Sequence, residues 1–137
     1  MLDWRGDDAK RQVMENVSKA WGEFGLEVEG ESKRELRRGH GVESGTLRRS
    51  IHVAESGYDW SSDDVEPSAS SIERGGAQVE PEANGDKLTL EVGSGLGYAM
   101  AVHQGHHNFS GYHYLTIGLK KAKEKIDSIL SKYKVQR

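Results

Sequence analysis

Gly41-Val42-Glu43-Ser44-Gly45-Thr46-Leu47-Arg48-Arg49-Ser50-Ile51 is the stretch on which the fold turns. Its glycines, with Gly39 just upstream, suit a chain reversal, where a φ above zero is cheapest for glycine. Beyond the reversal, Leu47, Arg49, Ile51 and Val53 alternate, which predicts a strand over Leu47–Ala54. Arg48 and Arg49 fix positive charge at its entrance. About half a chain later Val92-Gly93 leads through Gly93-Ser94-Gly95-Leu96-Gly97 to the short apolar run Tyr98–Val102, which stops at Gly105. The two stretches bracket the expected core sheet.

Upstream, Val13, Val17, Ala20, Trp21, Phe24 and Val28 recur at spacings of three and four, predicting an amphipathic helix from Asp7 to Arg38. Asp7 and Asp8 at its start and Lys33, Arg34, Arg37 and Arg38 at its end both agree with the helix dipole. Gly22, Gly25 and Gly30 each cost a helix interior about 1 kcal/mol relative to Ala, so a break or kink is expected between Gly25 and Glu31. Downstream, Leu88, Leu90 and Val92 alternate with polar residues as a half-buried strand does. Asn84-Gly85-Asp86 before them is a turn signal, which predicts a hairpin over residues 76–92 with Ala77–Pro81 as its weaker strand. Tyr98–Gln104 fits either a two-turn helix or a strand. Leu115, Leu119, Ala122, Ile126, Ile129, Leu130 and Tyr133 predict one further helix over Tyr112–Tyr133, with Tyr112, Tyr114 and Leu115 anchoring its start in the core. The expectation is a single α+β domain over residues 1–137: a small antiparallel sheet flanked by a long N-terminal and a C-terminal helix.

With 34% apolar and 30% charged residues the core must be thin. Cysteine is absent, which removes disulfides, thiol nucleophiles and Cys-ligated metals. The acidic start lacks the apolar run of a secretory signal, and no stretch approaches about 20 apolar residues, so a soluble chain without membrane contact is expected. A net charge of −3 argues against a general nucleic-acid binder. Its distribution is uneven. Ten acids between Glu55 and Glu91 against Arg74 and Lys87 leave −8, whereas residues 112–137 carry +5. Such segregation suits copies stacking on oppositely charged neighbours, or it marks two solvated faces that differ. Within the acidic stretch, residues 55–86 read as a long loop or extended hairpin, with Tyr58 and Trp60 packing on the body or on a neighbour; plain disorder is the alternative.

His103, His106, His107 and His113 lie within eleven residues. His103 and His107 have the i, i+4 spacing of a helical metal pair, yet Gly105 sits between them and no acid lies between Glu91 and Glu124. The competing reading is a loop facing solvent or a subunit interface. No Gly-x-Ser-x-Gly elbow is present, and Gly93–Gly97 lacks the Lys of a phosphate-binding loop. The arginines near residues 34–49 are interleaved with Glu31, Glu35 and Glu43, which favours a helix end or an intersubunit rim over a DNA contact. No catalytic residue, cofactor or metal is assigned.

The order of a long helix, Ser44-Gly45-Thr46-Leu47-Arg48-Arg49-Ser50-Ile51, Val92-Gly93, Tyr98-Ala99-x-x-Val102-x-x-Gly105 and Tyr114-Leu115 resembles the tail-completion or neck proteins of long-tailed bacteriophages. That family carries Thr-Gly-x-Leu-Arg-x-Ser-Ile, then Val-Gly, Tyr-Ala-x-x-Val-Glu-x-Gly and an aromatic-Leu pair; His103 stands at the Glu position. The resemblance implies a structural virion protein assembled in the host cytoplasm, not an enzyme. It implies a homo-oligomeric ring of six that joins a head-completion or connector protein to a tail terminator or tail tube protein and lets viral DNA pass. On that reading Arg48, Arg49 and His103 face neighbouring subunits, and Asp63, Asp64 and Glu66 face the DNA. The rival expectation is a metal-binding hydrolase using His103, His106, His107 and His113.

Overall fold

The structure, a computed structural model, describes residues 4–38, 41–42, 46–63, 75–84, 87–96, 99–105 and 111–135. Helix α1 spans Trp4–Glu35 without interruption, 32 residues and so about 48 Å long. The helix runs through Gly25–Glu31 without the expected break, and packing explains why glycine stands there. A Cβ on Gly25 would stand 3.2 Å from both Leu90 Cδ1 and Val53 Cγ1, so this glycine lets the helix lie directly on the sheet. Its missing side chain serves contact with the strands.

After α1 a two-residue parallel bridge pairs β1 (Arg37–Arg38) with β2 (Gly41–Val42). The strand expected from Leu47 is replaced in its first half by helix α2 (Thr46–Ser50), and only His52–Glu55 forms strand β3. Leu47 and Ile51 show why: they are four residues apart and both buried in one cluster, the spacing of a helical turn. Ser50 Oγ donates to Leu47 O at 2.6 Å and secures that turn.

Strands β4 (Glu82–Asn84) and β5 (Lys87–Gly93) form the hairpin, with Asn84 opposite Lys87. Its first strand is therefore 82–84, displaced from the expected 77–81. The antiparallel sheet has the order β3-β5-β4, and His52 pairs with Gly93, Val53 with Val92 and Ala54 with Glu91. This register sends Val53 and Val92 to the α1 face and His52 and Glu91 to the other.

Of the two readings of the apolar run before Gly105, the structure has the helix, α3, over Ala99–Gln104. The single C-terminal helix expected over Tyr112–Tyr133 is two: α4 (Tyr114–Lys123) and α5 (Ile126–Lys132). Glu124 N–H bonds to Lys121 O at 3.2 Å and Lys125 N–H to Ala122 O at 3.0 Å, the tightened turn that ends α4. The break lets α5 follow α1, where Ile129 joins Ala20, Phe24, Val28 and Ala122 in one core cluster. Helices α1 and α4 cross closely: a Cβ on Gly118 would lie 2.2 Å from Ser32 Oγ and 2.7 Å from its backbone nitrogen. A second cluster joins Leu36, Leu47, Ile51, Leu96, Ala99 and Tyr114, and Val92 packs against both.

Candidate functional site: a groove between the sheet and α3

On the sheet face away from α1, the chain leaving β3 folds back as a cap. Tyr58 N–H returns to Glu55 O at 3.2 Å, and Asp59 then turns the backbone by accepting Ser61 N–H at 3.2 Å. The 3-10 turn Trp60–Asp63 follows. Its side chains close over His52. Asp63 Oδ2 lies 2.6 Å from His52 Nε2, and Tyr58 O–H donates to Asp63 Oδ1 at 2.6 Å. Trp60 Nε1–H donates to Glu91 Oε1 at 2.8 Å, while Gly57 N–H reaches Glu91 Oε2 at 2.7 Å. The rings of His52, Tyr58 and Trp60 sit 4.8–5.2 Å apart in tilted or edge-on arrangements, favourable geometries for aromatic pairs.

The cap is seated through a glycine. A Cβ on Gly95 would fall 1.9 Å from Trp60 O, so no side chain fits there. Next to it a hydroxyl relay ties α2 to the segment after β5. Leu96 N–H donates to Ser94 Oγ at 3.2 Å, Ser94 and Ser50 hydroxyls meet at 2.6 Å, and Ser50 donates to Leu47 O. Because each hydroxyl has one hydrogen, Ser94 is the donor to Ser50.

Across from the cap stands α3. A groove of about 460 Å³ lies between them, lined by Trp60, Glu91, Ser94, His103, Gln104 and Tyr114. Tyr114 is buried and donates its hydroxyl to Ala99 O at 3.1 Å, joining α3 to α4. His113 adopts the left-handed conformation (φ 50°) before α4, and its N–H donates to His103 O at 2.9 Å. The His103 and His113 rings meet edge-on at 5.6 Å, and Thr116 Oγ1 lies 3.3 Å from His103 Nε2. Burial first, and then the nearby His113, hold the His103 pKa below its ordinary value. His103 is thus a neutral imidazole near pH 7, able to accept or donate one hydrogen bond at the groove.

Of the residues singled out from sequence, the structure joins His103 with His113 and leaves His106 and His107 outside the described residues, along with Asp64 and Glu66. Among the described residues no three side chains form a metal-binding group. Arg48 is exposed on α2 and Arg49 half-buried. Asp63, expected among DNA-facing acids, is 2% exposed and turned inward onto His52 and Tyr58. His52 and Glu91 were missed because their partners lie 11 and 31 residues away; the Asp59-x-Ser61 turn pattern is the one local signal for the fold-back.

The basic C-terminal run also proves partly occupied within the chain. Glu23, Glu27, Glu31 and Glu35, each one turn apart on α1, meet lysines of the C-terminal region. Lys132 bonds Glu23 at 2.5 Å, Lys125 bonds Glu27 at 3.3 Å and Glu31 at 3.2 Å, and Lys121 bonds Glu35. Among the described residues, no helix is long and apolar enough to cross a membrane. The chain matches no family model, no curated protein and no solved structure.

Proposed function

We propose that this protein is a structural subunit of the neck of a long-tailed bacteriophage, one copy of a ring, of six in the simplest case, between the head connector and the tail. Its work is binding, and viral DNA passes through the assembled ring. The observation that carries this reading is where the resembling motifs come together. Leu47 and Ile51 of the first motif, Val92 of the second, Ala99 of the third and Tyr114-Leu115 of the fourth all pack in or against one core cluster, and Ser50 and Ser94 bond across the first two. Four sequence-distant motifs thus act as one framework. Arg48 and His103, carried on the same elements, remain accessible for neighbours. With Asp63 turned inward, a DNA-facing role for the acidic segment rests on Asp64 and Glu66.

Electron microscopy of the purified protein, and of virions labelled with an antibody to it, is the direct test. Closed rings and a label at the head-tail junction are expected; a chain that never assembles and is missing from virions would overturn the reading. The rival, a metal-dependent hydrolase, draws on the His103–His113 pair. Stoichiometric zinc retained through purification, together with hydrolytic activity lost on chelation, would favour it.

A further inference from the structure

We propose that an acidic groove beside the first half of α1 receives the Leu119 face of α4 from a second copy of this chain. The contact rests on the ring-subunit reading and names its interface. Among the described residues the large apolar side chains left exposed are Val13, at 55%, and Leu119, at 38%. They belong to two surfaces of opposite charge.

The first is a groove of about 490 Å³ between α1 and the arm that enters β4, with Met14, Val79 and Ala83 as its apolar floor. Gln78 Nε2 donates to Lys19 O at 3.1 Å and holds the arm against the helix. Glu15, Glu80 and Lys19 line the groove, so its lining carries −1, and exposed Glu82 follows in β4. Val13 is the chain neighbour of Met14 and extends the apolar area. The second surface centres on Leu119 of α4, a helix without a single acid, where Leu119 also lines an apolar groove with Trp21, Leu90 and Leu115; with its lysines this face is the knob of the contact. Lys120 and Lys123 flank Leu119, exposed and in no ion pair among the described residues, whereas Lys121 is turned to Glu35. An apolar knob with a basic rim therefore complements an apolar groove with an acidic one, which both steers encounter and sets register.

A copy cannot satisfy itself. Helix α4 is locked on α1 at the Gly118–Ser32 crossing, so its Leu119 face cannot leave to reach the groove. Knob and groove are different surfaces, so the contact is heterologous: each copy offers its knob to the next, and the series closes into a ring or runs on as a filament.

Two double variants test this on the full chain, with circular dichroism to check folding: Glu80→Lys with Glu82→Lys in the groove, and Lys120→Glu with Lys123→Glu on the knob. Sedimentation velocity should show assembly of the unaltered protein, weakened by high salt, and about tenfold or more weaker self-association in either variant. Mixing the two variants should restore assembly in alternating order, since reversed groove meets reversed knob and native knob meets native groove. Assembly of both variants like the unaltered protein would overturn the contact while leaving the ring reading intact. An unaltered chain that stays monomeric at every concentration would overturn it as well, and the label on virions would then decide the ring reading by itself.

Discussion

Carboxylates meet donors on both sides of this molecule, but in opposite settings. Along α1, Glu23, Glu27, Glu31 and Glu35 bond lysines whose own side chains stay in water; that of Lys132 is 63% exposed. In the cap, Asp63 and His52 are both withdrawn from solvent, with side-chain exposures of 2% and 12%. The pairs Lys132–Glu23 and Lys125–Glu27, open to water at both ends, contribute little, because water competes for both ions and two long side chains must be held still, whereas the Glu31 and Glu35 carboxylates are themselves buried. What holds α1 to α4 is instead the close approach of Ser32, Gly118 and Ala122 beneath the charges. In the cap the polar groups themselves do the holding, since a buried carboxylate deprived of its donors costs more than the bonds return.

The largest effect should come from filling the crossing. Gly118→Val places atoms where Ser32 already stands and should cost about 3 kcal/mol in urea denaturation; near-normal stability would mean that the helices can slide apart cheaply. Next, Asp63→Ala leaves His52 and Tyr58 without their acceptor and should cost about 2 kcal/mol, with a change in Trp60 fluorescence. Asp63→Asn, which retains one acceptor, should recover part of that loss. If Ala and Asn behave alike, the cap is held by its rings and not by the carboxylate.

A smaller effect is expected from His103, visible only as a slope with pH. Its pKa lies below the ordinary value in the folded chain, through burial and then His113. The unfolded chain therefore binds this proton more readily, so stability falls as pH drops through the ordinary histidine value and the loss is complete below the lowered one. His103→Gln should flatten the stability curve on the acid side of the ordinary histidine value. An unchanged acid limb would assign the slope to other groups.

The smallest effect belongs to the lysine rungs. The bond to Glu31, followed by that to Glu27, raises the Lys125 pKa, and the bond to Glu23 raises that of Lys132. A raised base contributes below its ordinary value and loses that contribution as pH climbs through the raised one, so only the alkaline range reports it. Lys125→Met and Lys132→Met should leave the neutral melting temperature almost unmoved and erase what salt dependence the pair shows. A large loss that salt does not change would reverse the ranking of the two regions.

Much of this architecture is legible along the chain. The α1 stripe from Ala20 to Val28, the alternation of Leu88, Leu90 and Val92, and Tyr114 as a core anchor all follow from local periodicity, whereas Val13, expected on the same stripe, stays 55% exposed. Errors arose where two periods compete over a few residues. Leu47, Ile51 and Val53 satisfy both a strand and one helical turn followed by a strand, and the shared burial of Leu47 and Ile51 decides for the second. The acidic stretch after Glu55 has few apolar residues and so reads as a loop or extended hairpin; its first part, Gly57–Asp63, is held by polar bonds to His52 and Glu91, which no local pattern encodes. The C-terminal lysines looked available to neighbours because the four glutamates that take up three of them lie about a hundred residues upstream.

Sequence by itself determined the α+β class, the long N-terminal helix, the strand that ends at Val92-Gly93 and the helical character of the C-terminal region, because periodicity and turn chemistry act over neighbouring residues. Tertiary structure alone decided that Gly25 and Gly118 are sites of contact, that Asp63 faces inward, and that Leu119 stays outside with Lys120 and Lys123. A glycine gains its purpose, and a charge its worth, from atoms that arrive from distant parts of the chain, and only the folded arrangement specifies which atoms those are.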